Sequence, residues 1–242
     1  MCTVTYIPQG PDSFVLSSNR DENPARSPRN LTRLETPDSV MVFPRDTAAG
    51  GSWIVAENRN RIICLLNGAF EKHRHAPPYK RSRGLMVLNF FDFPRAGAFA
   101  AEYDFGGMEP FTLVVLEKGQ VFELRWDERE VHFRELDPKN PHIWSSATLY
   151  PEPVRERRKS WFEAWLAHRS DWSLEAIHDL HRYGGEGDPW NDYVMDRNGI
   201  VQTVSITHVT KKSGKVDFIY HDLLRESVKR ESIQLQGAPR QA

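Results

Sequence analysis

The pattern of apolar positions predicts strands at both ends of the chain. Alternating, β-branched and aromatic residues indicate strands over 3–7, 13–18, 52–57, 61–66, 111–117, 120–126, 131–136, 200–209 and 215–220. Short Gly-, Asn- or Asp-containing segments between several of them are typical of hairpin turns. The polar, proline-containing segment 23–39 and the basic segment 71–83 are predicted to be loops.

Helical spacing predicts four helices in two pairs between these strands. The first pair covers 85–91 and 95–103, divided by Pro94. Apolar residues at helical intervals predict an amphipathic helix over Pro153–His168. Ser173 is a typical N-cap for a fourth helix, which the glycines after Tyr183 end.

The order of these elements indicates the fold class. The helices do not alternate with single strands, as they would in a doubly wound parallel fold. An α+β fold with mainly antiparallel sheets covered by helices is therefore predicted. We expect the chain to form a single domain over residues 1–242, because no repeat or linker divides it.

Charge and hydropathy exclude several classes of partner. The chain has 32 basic and 33 acidic residues, so its net charge of -1 does not attract nucleic acid or anionic membranes. No apolar run approaches the roughly 20 residues of a membrane span, and the start lacks signal-peptide features. We predict a cytoplasmic protein in which Cys2 and Cys64 are reduced thiols.

The first candidate for chemistry is Cys2, the residue after the initiator Met1. Removal of Met1 would leave one residue with a nucleophilic thiol and a free α-amine, which is a plausible base near neutral pH. The alternative is a small buried cysteine, because free cysteines are among the most buried residues. Cys2 alone does not decide between these interpretations.

A polar cluster after the second predicted strand favours the first interpretation. It reads Ser17-Ser18-Asn19-Arg20-Asp21-Glu22. If the first two strands pair as a hairpin, this cluster returns beside Cys2. Asp21 could then hold the α-ammonium, and Arg20 could lower the pKa of the thiol. By itself the cluster could also be a solvated turn.

The combination resembles the NRDE family, also called the transport and Golgi organisation protein 2 family. Met1-Cys2 and the cluster at 17–22 carry the resemblance. Further similar segments are Asn23-Pro24-Ala25-Arg26-Ser27-Pro28, Gly50-Gly51-Ser52-Trp53-Ile54, Leu65-Leu66-Asn67 and Ser82-Arg83-Gly84. The match is strong over residues 1–90 and diffuse afterwards.

The resemblance extends to N-terminal nucleophile (Ntn) hydrolases of the penicillin V acylase and bile salt hydrolase branch. It implies a four-layer α-β-β-α sandwich and cleavage of a non-peptide amide bond by Cys2. Asp21 matches the residue that contacts the N-terminal amine, and Asn67 matches an oxyanion-hole donor. The branch's arginine falls at Ser18, so Arg20 would act from a different position.

Two later positions depart from the family pattern. Ser146 stands in place of an asparagine, and Gln202 in place of a charged residue. With Asn19 and Trp53, these two are predicted binding residues of the cleft.

The sequence is therefore compatible with two functions. One is a hydrolase for a small-molecule amide. The other is a non-catalytic protein that binds a hydrophobic ligand, such as a lipid, acyl group or haem, in the same cleft. No cofactor or metal is predicted: His73 and His75 are assigned to a solvated loop, and His178 and His181 to a helix surface. Redox pairing of Cys2 with Cys64 is a third possibility, which requires the two thiols to be close.

Overall fold

Fourteen strands form two seven-stranded antiparallel sheets in the computed structural model, which describes residues 3–169 and 171–237. In chain order they are β1 (Thr3–Pro8), β2 (Phe14–Glu22), β3 (Leu31–Glu35), β4 (Val40–Pro44), β5 (Ile54–Glu57), β6 (Arg61–Asn67), β7 (Phe111–Glu117), β8 (Gln120–Trp126), β9 (Val131–Leu136), β10 (His142–Ser145), β11 (Asp196–Arg197), β12 (Val201–Lys212), β13 (Lys215–Asp222) and β14 (Ser227–Gln234). Sheet 1 has the order β10-β1-β2-β12-β13-β14, with β11 beside β12. Sheet 2 is the meander β3 to β9.

Four α-helices lie in two pairs, as the spacing predicts. They are α1 (Arg83–Asn89), α2 (Ala96–Glu102), α3 (Glu152–His168) and α4 (Leu174–Tyr183). The Ser173 hydroxyl accepts a hydrogen bond from the backbone N–H of Ala176, which confirms the predicted N-cap. Within the described ranges, no helix has the length and apolar character to cross a lipid bilayer.

Two apolar cores join these elements into layers. The larger core combines residues of both sheets, such as Leu16 and Ile63, with Phe90 and Phe99 from the segment of α1 and α2. The smaller core joins sheet 1 to α3 and α4 through Ile7, Val15, Phe162, Ile177, Leu180 and Tyr193. The layers are therefore α1/α2, sheet 2, sheet 1 and α3/α4, which is the expected α-β-β-α sandwich.

Several elements differ from the prediction. The predicted loop 23–39 contains a 3₁₀ turn (Pro24–Arg26) and β3, and the strands β4, β10, β11 and β14 were not predicted. Strand β3 is a largely exposed edge strand with the sequence Leu-Thr-Arg-Leu-Glu, so its apolar alternation is weak. It forms because its backbone pairs with β4. Backbone pairing of this kind leaves little trace in side-chain type.

Strand β2 also runs further than predicted, through the polar cluster to Glu22. This segment is buried because it pairs with β1 on one side and β12 on the other. Side chains alternate along a strand, so the cluster is divided between two faces. Ser18 and Arg20 share the inner face with Leu16, towards sheet 2. Asn19 and Asp21 share the outer face with Val15, towards α3 and α4.

A close backbone approach joins the segment before β5 to the start of α1. The N–H of Ser52 donates to the carbonyl of Gly84 at 3.0 Å. A Cβ atom on Gly51 would lie 2.3 Å from the carbonyl carbon of Gly84, which is backbone and cannot rotate away. The glycines of two segments quoted for the family resemblance thus pack directly against each other.

We expect Gly51→Ala to lower the free energy of unfolding by about 3 kcal/mol, because the two backbones must separate to admit the methyl group. Gly97→Ala is the matched control: Gly97 lies within α2, and a Cβ there meets nothing within 4 Å. That variant should be neutral or up to about 1 kcal/mol more stable. Urea denaturation of both variants measures the difference, and equal effects would contradict the packing argument.

Candidate active site

A small charged cavity lies where β2 and β6 end. Its volume is about 260 Å³. Lining residues include Arg20, Glu22, Arg26, Asp46, Trp53, Asn67, Arg83 and Glu109. These residues come from β2, the 3₁₀ turn after it, the loop between β4 and β5, the end of β6, the start of α1 and the segment before β7. The site is thus assembled from both sheets and the first helix.

Arg20 and Asp46 form the buried ion pair of this cavity. A guanidinium nitrogen of Arg20 lies 2.6 Å from Asp46 Oδ2, and the side chains are 3% and 6% exposed. Arg26 approaches the same carboxylate oxygen at 2.9 Å and bonds Glu22 at 2.9 Å on its other side. Two arginines and two carboxylates therefore alternate along one wall.

The surroundings of this pair keep both of its members charged. Burial alone would raise the pKa of Asp46, but the N–H of Ala49, the guanidiniums of Arg20 and Arg26 and the N–H of Ala48 outweigh it, so the pKa is lowered. Burial lowers the pKa of Arg20 from its ordinary value, and the nearby carboxylates act in the opposite direction. An arginine remains protonated at neutral pH despite such a shift.

A second ion pair forms another part of the wall. Arg83, the first residue of α1, lies 2.9 Å from Glu109 and also donates to the carbonyl oxygen of Pro110. The other oxygen of Glu109 lies 3.4 Å from His73 Nε2 and 3.3 Å from His75 Nδ1. The predicted loop histidines thus border the cavity through Glu109.

Trp53 presents both a ring face and a donor to this site. The Arg20 guanidinium stacks over its indole ring, 3.7 Å from the ring centroid. The ring is 4% exposed, and its Nε1–H has no hydrogen-bond partner among the described residues. Trp53 therefore contributes to the cavity lining and carries one buried donor whose hydrogen bond is not made by the described residues.

Asn67 and Ser146 are brought together at the end of β6. Asn67 lines the cavity, and its backbone carbonyl accepts a hydrogen bond from the Ser146 hydroxyl at 2.8 Å. Ser146 is fully buried. Its contact is with the backbone of Asn67, so it holds the end of the strand from which the Asn67 side chain projects.

Cys2 lies outside the described residues. The following residue, Thr3, begins β1 and pairs with Asn19 in β2 and Ser145 in β10. The next residues along those two neighbours are Arg20 and Ser146. The described start of β1 is therefore flanked by strands whose next residues belong to the candidate site.

Asp21 lies on the outer face of sheet 1, with both carboxylate oxygens engaged. Its Oδ1 accepts a hydrogen bond from the Thr203 hydroxyl at 2.5 Å, and its Oδ2 accepts one from Tyr150 at 2.8 Å. A bulge between Thr203 and Ser205 allows β12 to place Thr203 opposite Asp21 and Ser205 opposite Arg20. Two hydroxyl donors therefore help to hold this carboxylate.

Asn19 and Gln202 lie away from the charged cavity. The Asn19 amide donates to the carbonyl oxygens of His181 and Tyr193, and its oxygen contacts His181 Nδ1. Gln202 pairs with Glu22 through the backbone but lines a separate surface pocket. The structure therefore brings Arg20, Trp53 and Asn67 together in one cavity, whereas Asn19 and Gln202 do not line it.

Cys64 is a free thiol that is fully buried in β6. Burial raises the pKa of this thiol to about 12, while a hydrogen bond with Ser18 acts weakly in the opposite direction. The thiol is therefore protonated and unreactive near neutral pH.

The prediction that the histidines of α4 lie on the helix surface is wrong for His181 and holds only in part for His178. His181 is fully buried and His178 is half-buried. His181 Nε2 bonds the Thr5 hydroxyl at 2.7 Å, and burial, followed by the charges of His178 and Arg158, lowers its pKa to about 3. Three histidines from α4, β12 and β13 also converge. Asp127, Glu130 and His132 form a second group, in which Glu130 is exposed and the other two are partly buried, and both groups could hold a metal ion.

Sequence reasoning did not find Asp46, Arg83 or Glu109 as members of the site. Arg83 had a signal, because it opens the Arg-Gly segment that resembles the family pattern. No sequence pattern indicated Asp46 or Glu109. Each lies in a polar loop and joins the site through an ion pair with an arginine distant in sequence, Arg20 for Asp46 and Arg83 for Glu109.

A larger cavity lies at the opposite end of β2. It measures about 670 Å³ and is lined mainly by apolar groups, among them Tyr6, Pro8, Phe14, Leu116, Val121 and Trp172. Phe14 begins β2, whereas Arg20 near its end lines the charged cavity. Six residues of strand separate the two sites by about 20 Å.

Comparison with known proteins identifies similar folds. The family model for Transport and Golgi organisation 2 matches residues 1–192. A Caenorhabditis elegans N-acylethanolamine-hydrolyzing acid amidase ortholog superposes with a TM-score of 0.58 at 10% identity, covering 86% of this chain and 92% of that one. Two variants of conjugated bile acid hydrolase from Clostridium perfringens give TM-scores of 0.52 and 0.51 at 8% and 7% identity, covering 96% and 99% of this chain and 92% and 94% of theirs. No curated protein matches the chain significantly.

Proposed function

The chain belongs to the Transport and Golgi organisation 2 family, and from this premise we propose that it is an Ntn-type hydrolase that cleaves a small-molecule amide with Cys2 as nucleophile. Two kinds of protein with similar folds are, by their names, an amidase and a bile acid hydrolase. The observation that carries the proposal is the charged cavity, where Arg20, Trp53 and Asn67 line one space beside the strand that begins after Cys2.

In the proposed reaction, Cys2 supplies both the nucleophilic thiol and the basic α-amine. After removal of Met1, the α-amine accepts the thiol proton, and the sulfur attacks the amide carbonyl carbon. The Asn67 amide donates a hydrogen bond to the resulting oxyanion. The C–N bond breaks as the leaving amine takes the proton, and water then hydrolyses the thioester to release the acid and restore the thiol.

The cavity's size and polarity support a small polar substrate. A volume of about 260 Å³ falls just below the usual range of roughly 300–1,000 Å³ for ligand pockets. The cavity wall is mostly charged or polar, and the indole ring of Trp53 adds an apolar face under Arg20. The ion pairs Arg20–Asp46 and Arg83–Glu109 hold the wall in place, which favours a preorganised site.

The first test is thiol reactivity in the native protein. We expect iodoacetamide at pH 7 to modify Cys2 roughly tenfold faster than free cysteine, because a lowered thiol pKa raises the thiolate fraction. Cys64 should stay unmodified, because burial raises its pKa to about 12. Intact-mass spectrometry should show loss of Met1 and a single adduct in native protein, and two adducts after denaturation.

Two variants separate the outcomes. Cys2→Ala should remove the fast adduct, and Cys64→Ala should leave it unchanged. Retained Met1, or a Cys2 no faster than a free thiol, would refute the hydrolase proposal. Modification of Cys64 in native protein would instead contradict its burial.

The larger cavity favours a second function, binding of a hydrophobic ligand without catalysis. Its apolar lining and volume of about 670 Å³ fit an acyl-chain-sized molecule better than the charged cavity does. Extraction of purified protein and mass spectrometry of the extract would test for a retained lipid, acyl compound or haem. Phe14→Asp, which places a carboxylate in this cavity, should abolish retention and leave the Cys2 adduct unchanged.

A further inference from the structure

Three histidines meet between α4 and sheet 1, on the face opposite the charged cavity. They are His178 on α4, His208 on β12 and His221 on β13. One potential ligand atom from each lies within 4.8 Å of the other two. His208 is fully buried, whereas His178 and His221 are partly exposed. One imidazole of the group is therefore buried, and the other two are partly accessible to solvent.

The spacing of one pair of donors is close to that of a tetrahedral zinc site. Zinc–nitrogen distances of 2.0–2.1 Å place neighbouring donor nitrogens about 3.3 Å apart. His178 Nδ1 and His208 Nε2 are 3.0 Å apart, and the rings of His178 and His221 have centroids 4.3 Å apart. All three candidate donor atoms lie within 4.8 Å of one another, so shifts of about 1–2 Å would give the donor spacing of one zinc ion.

The ring of His208 is already oriented as a metal ligand requires. Its Nδ1 lies 2.7 Å from the Ser17 hydroxyl. With Nδ1–H donating to that oxygen, the lone pair of Nε2 points to His178. Ligating histidines usually have their second nitrogen held in this way, which fixes the tautomer and the ring.

We propose that His178, His208 and His221 bind a divalent first-row transition metal, with zinc as the best fit. Three imidazoles without a carboxylate suit Zn²⁺ and disfavour the oxygen-seeking Mg²⁺ and Ca²⁺. The ion would fasten α4 to β12 and β13. The site depends on none of the residues assigned to amide hydrolysis.

The test is titration of chelator-treated, full-length protein with Zn²⁺, followed by calorimetry and thermal denaturation. We expect one ion per chain and a higher melting temperature in the presence of zinc. His178→Ala and His221→Ala should each weaken binding at least about 100-fold, and Ser17→Ala should weaken it about tenfold. Both histidines are partly exposed, so the metal-free variants should fold.

His132→Ala is the matched control. It removes a histidine from the cluster with Asp127 and Glu130, the other described group that could hold an ion. Unchanged binding in that variant supports the α4 site. Absence of binding, or loss in His132→Ala with retention in His178→Ala and His221→Ala, would overturn it. If a variant does not fold, zinc K-edge absorption of the wild type decides, because fewer than three imidazole ligands would also refute the site.

Discussion

Replacement of Asp46 by alanine is expected to lower the free energy of unfolding by about 3–5 kcal/mol, because it leaves a buried guanidinium without its carboxylate. Arg20 is 3% exposed, and its remaining acidic neighbour, Glu22, is 3.7 Å away. The variant also loses the acceptor for the N–H groups of Ala48 and Ala49. Urea denaturation at pH 7 measures the loss.

An exposed pair provides the control. Asp104 bonds Lys80 at the surface, and Asp104→Ala should change the stability far less than Asp46→Ala, because exposed ion pairs are screened by solvent. Arg20→Met in the Asp46→Ala background should restore part of the stability, because it removes the unpaired charge. Additive effects of Asp46→Ala and Arg20→Met in a double-mutant cycle would contradict the proposed coupling.

The second large effect is a loss of stability in mild acid through His181. The unfolded chain protonates this histidine below its ordinary pKa of 6.5, whereas the folded state resists protonation until about pH 3. The stabilisation is therefore present above pH 6.5 and declines as the pH falls towards 3. Linkage predicts a loss of about 2 kcal/mol between pH 7 and pH 5 from this group alone. Burial, followed by the charges of His178 and Arg158, opposes its protonation, and the ring of His208 also packs near it.

His181→Gln isolates this contribution. A glutamine amide can keep hydrogen bonds to Asn19 and Thr5 but does not titrate. The variant should be less stable at pH 7, and its stability should fall less steeply between pH 7 and pH 5 than that of the wild type. Denaturant titrations at several pH values with a chelator present measure both slopes. Parallel slopes would show that His181 is not the group responsible.

Side-chain pattern predicted those elements whose residues carry the periodicity themselves. The meander of β7 to β9 matches the predicted bounds because its alternation is strong and the Lys118-Gly119 turn is distinct. Helix α3 begins within one residue of its predicted start. Strands β3 and β14 were not predicted from the sequence, because both are edge strands whose polar residues give only a weak apolar pattern. Their existence depends on a neighbour that the local sequence does not reveal.

The candidate site also contains some residues that the sequence identifies and others that only the fold reveals. Sequence order linked Arg20, Trp53 and Asn67 through the family resemblance, and the fold places them around one cavity. The division of the cluster at 17–22 between two faces required knowledge that β2 is a central strand. The contact of His208 with His178 also could not be predicted from the sequence. A single histidine in an apolar strand does not indicate a histidine cluster until α4 is known to pack over it.

The pairing of β2 with β12 has a consequence for biosynthesis. Sheet 2 is continuous in the chain, so it can assemble as soon as residues 31–136 have left the ribosome. The β1–β2 hairpin must wait for β12, which ends at Lys212. At 5–20 residues per second, that strand follows Glu22 by roughly 10–40 s. During this interval an isolated hairpin is marginally stable and offers an unpaired edge to other nascent chains. We therefore expect the strand that carries Arg20 to be open to wrong pairing during translation until β12 has been made.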